Sequence, residues 1–164
     1  MTTLGISADD VSAVNEVDGV TGVMPSYTQD LFVQADGESL VLKAISYNKR
    51  IENDDIYNIN RPVVLKGRMP EKSGECAIEL KMTSPESFIV GNYITFTTPD
   101  NTKPMSNYLK TDKYKIVGII SSPSYIGYKR GQTKIGNGKI ESYVLLPEED
   151  FNLPYYTELF ATIK

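Results

Sequence analysis

The sequence predicts an α+β domain, rich in strand, in which a mixed sheet carries a few short helices. Three observations support this. One N-terminal segment has complete helix-start chemistry. Asp36-Gly37 sits between two apolar runs, where a two-residue hairpin turn belongs. The rest of the chain is punctuated by short β-branched and aromatic runs bounded by Gly, Pro, Asn or Asp.

In chain order, Ser7 is placed as an N-cap, with Asp10 at N3 and Ile6 and Val11 at hydrophobic-staple spacing. Asp9 and Asp10 suit the positive end of the helix dipole. Val11, Val14 and Val17 form one narrow stripe, and Gly19 is placed to end a helix of about three turns. Val20 and Val23 then lead through Pro25 to the hairpin, whose arms are Leu31 to Val33 and Leu40 to Ile45. Lys49 to Asn60 is polar and lacks the ligand order of a calcium loop, so it reads as a solvated surface segment. Further strands are expected at Val63 to Leu65, Cys76 to Leu80, Tyr93 to Thr97, Tyr114 to Ile120, Tyr143 to Leu146 and Leu159 to Ile163. Single helical turns are expected after Pro85 and after Pro147.

Composition removes whole classes of chemistry. The 164 residues hold 17 Lys plus Arg against 21 Asp plus Glu, a net charge of −4, which argues against broad binding of nucleic-acid phosphates. There is no histidine, so imidazole cannot serve as base, proton shuttle or metal ligand. Cys76 is the single cysteine, which rules out an intrachain disulfide and a multi-cysteine metal site. Its apolar flank reads as a buried structural thiol. No glycine-rich phosphate loop is present. Glu75 and Glu79 would share a strand face, but they line one edge and do not oppose each other across a cleft, so no catalytic residue is assigned.

Ser121 to Lys139 is the most unusual segment, with four basic residues and no acidic one. Asn137-Gly138 suggests a tight type I′ turn within a hairpin extension or a long loop. The plain reading is a solvated loop. The functional one makes Tyr125, Tyr128, Lys129, Arg130 and Lys134 contacts to a partner, because Tyr and Arg are enriched at binding hot spots.

Several segments fall in a recognisable order. A capped helix precedes Gly19-Val20, Val23 and Pro25. Leu65-Lys66-Gly67-Arg68-Met69-Pro70 is followed by Gly74-Glu75-Cys76-Ala77-Ile78. Then come Val90-Gly91-Asn92-Tyr93-Ile94, Tyr114 to Ile119 and Tyr143 to Pro147. Together they resemble the extracytoplasmic, periplasmic-core-like domain of MacB/FtsX-like ABC transporter permeases, over nearly the whole chain. Gly67, Arg68, Pro70, Glu75 and Gly91 read as structural motif residues: the glycines at turns that call for positive φ, and Arg68 poised to anchor Glu75.

The resemblance implies that residues 1–164 form one extracytoplasmic domain, divisible into two subdomains, of a larger permease in the plasma membrane. The chain would continue at both ends. No cofactor is implied. ATP hydrolysis would belong to a separate cytoplasmic ATP-binding-cassette ATPase, and the domain would work beside a second permease copy by binding an extracellular protein or peptide and transmitting motion. The composition suits a Gram-positive source. The alternative reading is a secreted or surface-attached β-rich binding module without catalytic activity.

Overall fold

The structure, a computed structural model, describes residues 5–49, 59–81, 84–123 and 130–164. Its elements run α1 (Ala8–Asn15), β1 (Val20–Ser26), β2 (Thr28–Ala35), β3 (Glu38–Tyr47), β4 (Val63–Gly67), β5 (Glu75–Glu79), β6 (Tyr93–Thr97), β7 (Lys113–Ser121), β8 (Ser142–Pro147) and β9 (Glu158–Ile163). The β-rich mixed sheet is as expected, although helix is scarcer than the α+β label suggests. Single 3₁₀ turns occupy Met105–Asn107 and Glu148–Asp150, and Pro85 opens only a hydrogen-bonded turn closed by Phe88.

Seven strands lie in the order β4-β7-β5-β8-β3-β2-β6, and β6 pairs back onto β7. Six of them therefore close into a small barrel. β6 takes the first half of one edge of β7, at Lys113 to Lys115, and β4 takes the second half, at Gly118 to Ser121. β3–β8 and β5–β7 are parallel, and the remaining pairs are antiparallel. Alternate residues point inward: Leu31, Val33 and Ala35 from β2, Leu42 and Ala44 from β3, and Cys76 and Ile78 from β5. Ile94 and Phe96 from β6, Tyr114 and Ile116 from β7, and Val144 and Leu146 from β8 complete the filling. Phe88, Leu109 and Phe151 join this core. Ordinary hydrophobic alternation thus fills the closed interior, with Cys76 fully buried as one of its small members.

The hairpin forms as expected. Asp36 and Gly37 have φ of +51° and +84°, the left-handed pair of a type I′ turn. The first helix has its full capping box: Asp10 N–H donates to Ser7 Oγ at 3.2 Å, and Ser7 N–H donates to Asp10 Oδ2 at 2.8 Å. It is shorter than expected at eight residues, and none of them is fully buried. Val17 lies beyond its end and is exposed.

A second layer consists of the antiparallel ribbon β1–β9, which carries α1 along β1. Ile6 and Tyr156 exchange both backbone hydrogen bonds, at 2.8 and 2.9 Å, and Lys164 N–H donates to Gly19 C=O at 2.9 Å. Both flanks of the described chain are therefore knit into this ribbon layer. On the barrel face nearest it, Ala77, Ile120, Tyr143 and Leu145 make a second apolar cluster with Ile45, Tyr47 and Met69. β5 and β8 are consequently buried on both faces. Among the described residues no helix is long and apolar enough to cross a membrane.

Candidate functional site

The motif read as Leu65-Lys66-Gly67-Arg68-Met69-Pro70 leaves β4 through a tight crossing. Gly67 pairs with Gly118 of β7 and has φ +75°. A Cβ on Gly67 would lie 2.2 Å from Val117 O, and one on Gly118 would lie 2.1 Å from Arg68 O. Only paired glycines let the two backbones approach this closely. The crossing delivers Arg68 to Glu75, where Nη1 and Nη2 donate to the two carboxylate oxygens at 2.7 and 2.6 Å. Glu71 N–H adds a third donor at 3.0 Å. Glu75 is buried while Arg68 keeps an exposed side, and the guanidinium holds the Glu75 carboxyl down at about 2. Pro70 is buried next to this pair, and Gly91 turns with φ +103° ahead of β6.

Behind the same loop lies Asp150, fully buried. Ser73 Oγ and Gly74 N–H donate to its carboxylate, and its own C=O accepts from Lys110 N–H at 2.8 Å. Tyr114 stands close by, and burial together with the Asp150 charge raises its hydroxyl pKa. Asp150 thus ties the β4–β5 loop, the 3₁₀ turn and the approach to β7 into one unit. Nothing in its sequence surroundings distinguishes it from the adjacent Glu148 and Glu149.

At the other end of β5, Arg130 Nε donates to Glu79 Oε2 at 2.6 Å, and Arg130 Nη2 donates to Oε1. Both side chains are about nine-tenths buried, and Ser142 Oγ donates to Glu79 C=O at 2.7 Å. Arg130, expected to face a partner, instead turns into the protein. The spatial reason is that the fold sets Arg130 against Glu79 at the end of β5, a juxtaposition between residues 51 apart in the chain. Tyr125, Tyr128 and Lys129 lie outside the described residues. Lys134 lines an open, mixed-polarity depression with Thr28, Asp30 and Pro99. The tight turn there also differs from expectation: Gly136 and Gly138 take positive φ while Asn137 does not, so Asn137-Gly138 is not a type I′ pair. Gly136 is required because a Cβ would press within 3.1 Å of Val41 and Phe32.

The ribbon meets the barrel at Ser26-Tyr27-Thr28. Tyr27 N–H donates to Ser46 Oγ at 2.9 Å, Thr28 N–H donates to Thr157 Oγ1 at 2.6 Å, and Lys43 reaches Glu158 at 2.7 Å. Tyr27 stacks on Phe151 and tilts against Tyr156. Beside this junction two cavities adjoin, sharing Tyr47, Asn48 and Glu148. One is an apolar slot of about 100 Å³ between Met24, Pro25 and Phe160 of the ribbon and Ile45 and Leu145 of the barrel. The other is a wider bay of about 410 Å³ walled by Tyr27, Tyr47 and Phe151, with Glu71, Glu148 and Glu149 around it. Among the described residues no cluster of three metal-ligating side chains occurs.

No protein-family model matches the sequence, and no curated protein matches it. The fold, however, matches solved structures. The extracellular domain of the noncanonic ABC-type transporter YknZ from Gram-positive bacteria aligns with a TM-score of 0.56 at 11% identity, covering 99% of this chain and 75% of that one. The periplasmic region of MacB from Actinobacillus actinomycetemcomitans aligns with a TM-score of 0.51 at 7% identity, covering 97% of this chain and 65% of that one. This chain thus spans two thirds to three quarters of those domains. At such low identity the likeness concerns the backbone: the chain has the fold of the extracytoplasmic domains of MacB-like ABC transporters.

Proposed function

We propose that this chain is the extracytoplasmic domain of an ABC transporter permease of the MacB/FtsX type, a non-catalytic part that binds outside the membrane and moves with the permease. One observation carries the reading beyond the fold likeness: both flanks of the chain are hydrogen-bonded into the β1–β9 ribbon, a layer joined to the barrel through Ser26-Tyr27-Thr28. Such a layout suits a domain inserted between two membrane helices. Displacement of either helix would reach the ribbon first and the barrel through the junction. A cytoplasmic ATP-binding-cassette ATPase would supply the work, beside a second permease copy. Glu75 and Glu79 are each held by an arginine, which favours structure over hydrolysis as their role.

Two measurements on the natural full-length protein test this. A cysteine at exposed Asn101 should react with a membrane-impermeant thiol reagent on intact cells while the protein stays in the alkaline-washed membrane fraction. Labelling only after lysis, or release on washing, sinks the reading; release with labelling would instead point to a surface-attached module. Thr28→Cys with Thr157→Cys, whose hydroxyls stand 2.8 Å apart, should cross-link ribbon to barrel and uncouple ATP hydrolysis from work outside the membrane, reversibly with reductant. Unchanged coupling in the fully cross-linked protein would remove the ribbon as the transmitting part.

A further inference from the structure

We infer that Asp150 is a two-position latch on the β4–β5 loop: its carboxylate holds Ser73 and Gly74 in this structure, and passes to the buried Tyr114 hydroxyl when the aromatic stack at the ribbon junction shifts. Its use as a relay rests on the permease reading above; the latch itself does not.

The three buried carboxylates of the described residues are not held alike. Glu75 and Glu79 each meet an arginine through two hydrogen bonds. Asp150 is the deepest of the three, yet among the described residues no Lys or Arg side chain pairs with it. Its carboxylate accepts only from neutral donors, Ser73 Oγ and Gly74 N–H, the latter at 3.2 Å. Neutral hydrogen bonds are roughly half as strong as charge-assisted ones, so this hold is the easiest of the three to give up.

A second donor stands beside it. Tyr114 is fully buried and close to Asp150, and its hydroxyl has no hydrogen-bond partner among the described residues. Its ring is set edge-on against Phe96, with centroids 5.7 Å apart. A buried hydroxyl without an acceptor is uncommon and costs stability. Movement of the Asp150 carboxylate to Tyr114 satisfies that hydroxyl at the expense of Ser73 and Gly74. Ser73 is exposed and Gly74 half-buried, so water replaces the acceptor they lose. One set of donors is thereby exchanged for another, which makes the element two-state rather than graded.

The ribbon reaches this latch through aromatic rings. Tyr27 packs on Tyr156 and on Phe151, with centroid distances of 4.6 and 5.7 Å. Tyr156 exchanges backbone hydrogen bonds with Ile6, and Phe151 follows Asp150 directly in the chain. A shift of Tyr27 therefore moves Phe151 and, with it, Asp150. The loop so released carries Glu71, Lys72 and Ser73 on the surface, while Arg68 and Glu75 keep its base fixed.

Hydrogen exchange of this chain, followed by NMR at the Gly74 amide and at the Ile78 amide of the barrel core, tests the latch. Asp150→Asn, which sets an amide nitrogen against the donors, should raise the Gly74 rate about tenfold and leave Ile78 unchanged. Tyr27→Ala should do the same from the junction, and Tyr27→Phe, which keeps the ring, should not. Tyr114→Phe removes the second position. Alone it should leave Gly74 protected, and combined with Tyr27→Ala it should bring the Gly74 rate back to within about twofold of the parent. An unchanged Gly74 rate in Asp150→Asn or in Tyr27→Ala overturns the inference. So does equal acceleration at Ile78, faster Gly74 exchange in Tyr114→Phe alone, or a double variant that exchanges as fast as Tyr27→Ala. None of these readouts needs a membrane or the ATPase, so the latch and the permease reading stand or fall separately.

Discussion

The two ends of β5 carry the same pairing, a buried glutamate held by an arginine through two hydrogen bonds, yet they differ in origin and exposure. Glu75 takes its arginine from seven residues away, and that arginine keeps nearly half of its side chain in water. Glu79 takes one from 51 residues away, and both partners are shut off from solvent. The difference teaches how much each pair can be worth. Truncating the half-exposed Arg68 opens its place to water that can solvate Glu75, whereas truncating the enclosed Arg130 leaves a buried carboxylate with no water to replace its cation.

The largest effect should therefore come at the distant pair. Arg130→Ala is expected to destabilise by about 3 kcal/mol or more, because it leaves Glu79 buried and uncompensated. Glu79→Leu with Arg130→Met should recover most of that loss in urea denaturation, since removing both charges together also removes the desolvation penalty. If the single variant melts like the parent, the two ends of the strand are energetically alike and the contrast is wrong.

Next in size is the crossing that delivers Arg68. Gly118→Ala sets a Cβ against Arg68 O at 2.1 Å, and backbone must move to relieve it. A loss of about 2 kcal/mol or more is expected by chemical denaturation. It should be accompanied by a weakened Arg68–Glu75 pair, visible as a shifted Glu75 carboxyl resonance.

Arg68→Ala should cost less than either of these near neutral pH, because the exposed side of the guanidinium discounts the pair. Its pH signature is specific. Glu75 sits at about 2 in the folded chain against an ordinary 4.5, so its contribution is complete above the ordinary value and is lost as pH falls toward 2. Arg68→Ala should flatten the parent's stability slope across that acid window. An unchanged slope would assign it to other carboxylates.

The smallest expected change is Ser142→Ala, which removes a buried donor to Glu79 C=O and should cost about 1 kcal/mol while leaving the Arg130 pair in place. A loss as large as that of Arg130→Ala would show the hydroxyl and the ion pair acting as one network.

Legibility followed sequence distance. The helix cap at Ser7 and Asp10 and the turn at Asp36-Gly37 were readable because each is settled within four residues by backbone chemistry. The six later strands were readable because β-branched runs and turn residues mark them locally. The role of Arg130 was not readable: a basic residue in a glycine-rich segment looks solvated until the fold places a carboxylate against it. Asp150 was hidden for the same reason, since only tertiary packing separates it from two acidic neighbours that face water or half-face it. The slot between ribbon and barrel is less legible still, as its walls come from β1, β3, β8 and β9.

By itself, then, the sequence determined where the hairpin and the six later strands lie to within a residue or two, that histidine and paired-cysteine chemistry are absent, and, through the order of its motifs, which family's fold it resembles. Alternation told each strand which face to bury, but period-two patterning looks the same in an open sheet and in a closed one. Only the tertiary structure decided that β6 returns to β7 and closes the barrel, that β1 and β9 separate into a ribbon, and that an apolar slot opens between the two layers. Those outcomes depend on contacts between residues far apart in the chain, which local propensity does not encode.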